Sequence, residues 1–141
     1  MSFKAFLRSA AKMPENVKAV ISKRFIDEST GEPIPWELRA ITEDEHAAIK
    51  DACTSKNLFK GRMSSSFNTT RYNRMLAAAS VVYPDLKDAE LQKDYGVIGA
   101  DELLGKMLLP GEMIALQQLV TEINGFDLEK ISAEMDTVKN S

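Results

Sequence analysis

The chain has 141 residues, 44% hydrophobic and 28% charged, with a net charge of −3, a composition that supports one globular domain and gives no general reason to expect a nucleic-acid partner. One cysteine excludes an intrachain disulfide and points to a reducing compartment. No apolar run reaches the ~18 residues of a membrane span, and Met1–Phe6 lacks a signal peptide's apolar stretch, so the sequence predicts a cytoplasmic protein.

Ser2 can cap a short helix over about residues 3 to 12, in which Phe3, Phe6, Leu7 and Ala10 form one stripe. That helix docks on the domain's own core or serves as an arm for a partner's groove, with a membrane-surface helix as a weaker third choice. Residues 17 to 26 and 34 to 41 read as the strands of a hairpin around the turn Asp27–Gly31. Pro33 and Pro35 have no N–H for a ladder, so the second strand should begin at an edge, and Trp36 is expected to anchor the core. Thr42 and Glu45 have the spacing of a capping box for a helix to about Cys53. His46 is expected on that helix's surface, and Cys53 in the core.

Residues 54 to 69 break the periodicity. Gly61 and Ser64–Ser66 sit among basic residues and isolated Phe59, Met63 and Phe67. This is either a mobile loop or a poor hairpin, and its length favours a functional or disordered segment. Thr69 or Thr70 then caps a helix to about Tyr83, apolar nearly all round and therefore the central, buried one. Asp85 and Asp88 cap a short helix ending near Tyr95–Gly96, and Ala100 begins another with Leu103, Leu104, Met107 and Leu108 on its apolar face. Pro110 stops that helix and suits the first turn of the next, which runs to about Ile123 and is capped by Gly125. Asp127 caps a last helix over about 128 to 139, striped by Leu128, Ile131, Met135 and Val138.

The expected fold is mainly α (α+β): a compact helical domain with an N-terminal antiparallel β-hairpin packed against it. The single domain divides into an N-terminal amphipathic helix (1–13), a β-hairpin (17–41), a helical core (42–126) with a mobile loop (54–69) and a C-terminal helix (127–139).

Chemistry is sparse. Neither a phosphate-binding glycine loop nor a cysteine–histidine cluster is present, and the lone histidine and lone cysteine lack a third partner. No catalytic, cofactor or metal residues are therefore expected. Residues 54 to 74 hold five basic residues and no acidic one, while residues 101 to 141 hold eight acidic and three basic. The two regions either attract each other or are solvated; a basic arm meeting an acidic partner is the sharper reading. The candidate partner-binding residues are Phe3, Phe6, Leu7, Leu128, Ile131 and Met135, on single-stripe helices, and Ile114, the one large apolar residue on an otherwise polar helix face.

Several strings are distinctive: Arg24–Asp27 with Pro35–Arg39, Leu76–Pro84, Asp88–Ala100, and Lys106–Glu112 continuing to Ile123–Phe126. Together they resemble the XkdN-like tail assembly chaperones of contractile-tailed phages and defective prophages, over about residues 17 to 127. The resemblance implies a protein that binds the tape measure protein, keeps it soluble and helps recruit tail tube subunits. It also implies a longer frameshifted product as a partner in some systems, no cofactor and no catalysis. A host-cytoplasmic factor absent from the finished virion is the expectation; a structural tail protein retained in the particle is the alternative.

Overall fold

The computed structural model describes residues 3–126. Strand β1 (Val17–Ala19) pairs antiparallel with β2 (Trp36–Leu38), so that Ala19 faces Trp36 and Val17 faces Leu38. Trp36 and Leu38, two residues apart, project to the same face of β2 and are both fully buried. The ladders are three residues long, shorter than the predicted 17–26 and 34–41. Beyond them a single bridge, Ile26 to Pro33, and the bond from Ile34 N–H to Phe25 O hold the hairpin arms together. The prolines stand ahead of β2, and β2 itself lies in the middle of the sheet, because a third strand, β5 (Val81–Tyr83), pairs with its other side.

That third strand corrects the expected helix to Tyr83. Helix α2 (Thr69–Ser80) stops at Ser80, and the chain continues as strand. Val81, Val82 and Tyr83 are a β-branched and aromatic run, and the open side of β2 gives their backbone a ladder that another helical turn would not. The N-cap of α2 is Asn68, one residue before the predicted threonines, with its Oδ1 accepting the Arg71 N–H at 3.0 Å.

Helix α1 (Glu43–Ala52) opens with the capping box expected from Thr42 and Glu45: each side chain accepts the other's backbone N–H at 3.2 Å. Helices α3 (Ala89–Asp94), α4 (Ala100–Met107) and α5 (Pro110–Ile123) follow the predicted punctuation closely. Asp88 caps α3 through the Leu91 N–H at 2.9 Å, and Pro110 is the first residue of α5. The end of α5 closes as a Schellman motif: Gly125, at φ +80°, donates to Glu122 O and Phe126 donates to Thr121 O. Helix α2 packs against α1, α4 and α5, which makes it the central helix. Leu76 and Ala77 from α2 meet Leu103, Leu104, Leu116 and Val120 in one core under Trp36 and Leu38. The fold is mixed α+β with an N-terminal hairpin, as the sequence predicts.

Two further expectations fail, and one open alternative is decided. Residues 3–12 do not form a continuous helix: a three-residue 3-10 turn, Lys4–Phe6, is followed by one hydrogen-bonded turn from Leu7 to Ala11, and every residue from Phe3 to Asn16 is exposed. A single stripe with nothing to pack against cannot repay helix nucleation at this length. Of the two readings open for residues 54–69, the structure takes the hairpin and not the loop. Strands β3 (Thr54–Phe59) and β4 (Arg62–Phe67) pair over six residues each, with Lys60 and Gly61 at positive φ forming the two-residue turn. His46 is not a surface residue; its side chain is 14% exposed. The predicted helix over 128 to 139 lies outside the described residues.

Two bidentate ion pairs tie elements of the fold together, one of them across 88 residues of chain. Arg24 grips Glu112 with bonds of 2.6 and 3.1 Å and also donates to Met107 O at 2.6 Å, fastening the hairpin to the α4–α5 corner. Arg39 grips Glu45 at 2.6 and 3.3 Å, joining β2's end to α1's first turn. The arginine hydrogen bonds hold both carboxyls down, from 4.5 to about 2. A carboxyl depressed on folding contributes stability above its unfolded pKa and loses it as pH falls toward the folded value. Resistance to urea should therefore decline between pH 4.5 and about 2. Glu112→Gln should be less stable than the wild type at neutral pH and show a shallower decline. An unchanged slope in that variant would remove Glu112 from the account.

Candidate partner-binding surface

The core is complete without several large apolar side chains. Phe3 and Phe6 are 71% and 84% exposed, and Leu7 lies beside them in the N-terminal segment. Ile114 projects from α5 at 57% exposure. All four were singled out from the sequence; Leu128, Ile131 and Met135 lie outside the described residues.

The β3–β4 hairpin is the second of the two readings that the sequence leaves open for residues 54 to 69. Paired residues share a face of the ladder, so Leu58 and Met63 stand together near the tip and Phe67 lies at the base of that same face. Phe67 packs on Tyr72 with ring centroids 5.4 Å apart, which anchors the hairpin to α2. Phe59 and Arg62 occupy the opposite face. Every residue from Ser55 to Phe67 is exposed, and the charged ones, Lys56, Lys60 and Arg62, are all basic. The legible signal was two six-residue runs about Lys60–Gly61; the serines concealed it.

A groove of about 510 Å³ opens between α2, α4 and α5. Leu104, Leu108, Pro110, Met113 and Ile114 form its apolar walls, and Arg74 crosses it. Ile114 thus belongs to a built surface, while Phe3, Phe6 and Leu7 are not among its lining residues.

The histidine and cysteine that catalysis would need are engaged structurally. His46 Nε2 lies 2.6 Å from Tyr72 Oη, and its ring meets Phe126 edge-on at 5.6 Å. Burial raises the Tyr72 phenol above its usual value. Cys53 is buried, as expected, with its thiol 3.7 Å from Met75 Sδ. Among the described residues no group of three histidine, cysteine or acidic side chains could hold a metal ion, and no helix is long and apolar enough to cross a membrane.

A filled core with apolar side chains left outside it, on a hairpin, a groove and an N-terminal segment, is the architecture of a small α+β protein with surfaces suited to other chains. The same fold is seen in the crystal structure of YqbN, which matches 90% of this chain and 98% of its own with a TM-score of 0.77 at 27% identity. The YqbN sequence of Bacillus subtilis strain 168, an uncharacterised protein, is 31% identical over 115 residues, 80% of this chain and 76% of that one. The phage-like element PBSX protein XkdN of the same strain is 34% identical over 125 residues, 85% of this chain and 83% of that protein. The model of the phage XkdN-like tail assembly chaperone family matches residues 3–139, and the chain belongs to that family.

Proposed function

We propose that this protein binds the tape measure protein during tail assembly, keeps it soluble, and brings tail tube subunits to it. It works without catalysis or a cofactor in the host bacterial cytoplasm and leaves before the virion is finished. The observation that carries this reading is the exposed, acid-free β3–β4 hairpin bearing Leu58, Phe59, Met63 and Phe67, on a member of a tail assembly chaperone family. An assembly factor needs apolar side chains that are free before the client arrives, and a fold that stands without them. Methionine at the hairpin tip suits a surface that adapts to its client.

Co-expression with the tape measure and tail tube proteins of the same gene cluster tests it. The tagged chain should retain the tape measure protein, and Leu58→Ser with Met63→Ser should retain much less while unfolding at the same temperature. Purified tails should lack the protein by immunoblot. Stoichiometric protein in finished tails would instead identify a retained structural component.

A further inference from the structure

Helix α4 carries a glycine near its end, Gly105, at a position where alanine is the better helix former. What the glycine accommodates is Arg74. A Cβ on Gly105 would stand 2.8 Å from the guanidinium carbon of Arg74 and 2.8 Å from one of its nitrogens. Arg74 therefore lies across α4 at the residue that has no side chain.

The other arginines near this site have partners. Arg71 donates to Ala52 O at 3.0 Å and approaches Asp101 at 3.9 Å, and Arg24 is locked to Glu112. Arg74 is half-buried, and no hydrogen bond, ion pair or ring contact joins it to any described residue. No acidic side chain lines the groove that it crosses. A partly desolvated guanidinium with its fork unused is a site for a carboxylate, since paired and hydrogen-bonded is the state in which such a charge is stable. Leu108 and Ile114 beside it supply an apolar seat.

We propose that this groove receives an amphipathic helix of a tail protein. A glutamate or aspartate of that helix pairs with Arg74, and a leucine-sized side chain one turn away packs on Leu108 and Ile114. The walls are helices, with no free strand edge for a partner strand to extend, so a helix is the segment that fits. The proposal rests on the chaperone reading and adds the class of segment that is bound.

The test uses the full chain and its affinity for the tape measure and tail tube proteins. Gly105→Ala displaces only the far end of a flexible side chain, so it should leave the melting temperature equal or higher while weakening capture roughly tenfold or more. Arg74→Gln should weaken capture equally and flatten its salt dependence. The double variant should be no worse than either single one, because both act through the same guanidinium. Wild-type affinity in Gly105→Ala, or additive losses in the double variant, would overturn the proposal. Should the wild type capture neither protein, the chaperone reading fails, and the groove is then judged by a second probe. That probe is an alanine-based helical peptide with one leucine and one glutamate four residues apart, titrated into isotope-labelled full chain. Shifts at Gly105 and Ile114 that vanish in Arg74→Gln support the groove; their absence in the wild type overturns it.

Discussion

Replacing Trp36 by alanine is expected to lower the unfolding free energy by about 3–5 kcal/mol, the usual cost of emptying a large aromatic site. Against a total of roughly 5–15 kcal/mol, that is enough to leave a substantial unfolded fraction near physiological temperature. The physical reason lies in the shortness of β2. Three residues on each side provide few ladder bonds, so the sheet is held by what its buried face packs against. Trp36 is 1% exposed at the centre of that face. Phe25 tilts against it at 6.3 Å, and Arg24 in turn lies over Phe25 at 5.1 Å. Loss of the indole therefore loosens the arm that carries the Arg24–Glu112 clamp. Because Trp36 is the only tryptophan, unfolding should be followed by far-ultraviolet circular dichroism in urea, not by fluorescence. Leu58→Ala is the control: a side chain 70% exposed on the hairpin should change stability by less than about 0.5 kcal/mol. Equal losses for the two variants would mean that the core does not centre on β2.

Features set by one or two residues were legible in the sequence, and those set by distant segments were not. The Thr42–Glu45 box, Pro110 at the head of α5 and Gly125 past its end each satisfy local backbone groups, and each stands where it was predicted. Val81–Tyr83 reads as helix because an apolar run has no period to separate helix from strand; the vacant side of β2 decides it. The N-terminal stripe of Phe3, Phe6 and Leu7 has helical spacing, but spacing alone does not make a helix of about ten residues stable without a surface beneath it. His46 reads as a surface residue because the sequence offers it no partner, whereas Tyr72 and Phe126, 26 and 80 residues further along, cover it. Among the proposed binding residues, Ile114 was found because a lone isoleucine on a polar face needs no tertiary knowledge. Arg74 was not, since its lack of a partner and the room made for it by Gly105 exist only once α2 crosses α4.

Asn124→Ala should cost about 2–4 kcal/mol, a large effect for a half-buried polar residue, and the cause is again long-range. Its side chain closes three segments at one point. Oδ1 accepts the Ile41 N–H at 2.7 Å, and Nδ2 donates to Ser80 Oγ at 3.0 Å and to Val120 O at 2.9 Å. Ile41 precedes α1, Ser80 ends α2, and Asn124 itself follows α5. Ser80 is fully buried, so its hydroxyl has no water to turn to when the amide is removed. The Ile41 N–H precedes the first turn of α1, where Thr42 and Glu45 are already engaged with each other. Each buried group left without a partner costs roughly 1–3 kcal/mol, which is why truncation is worse than the net worth of the bonds themselves. Ser80→Ala removes one of those stranded groups. The double variant Asn124→Ala, Ser80→Ala should therefore lose less than the sum of the singles, with a coupling of about 0.5–3 kcal/mol. Urea midpoints for the four proteins measure it. Strict additivity would show that Asn124 and Ser80 act independently, and the junction of α1, α2 and α5 would then owe its stability to the apolar contacts of Leu76, Leu116 and Val120 alone.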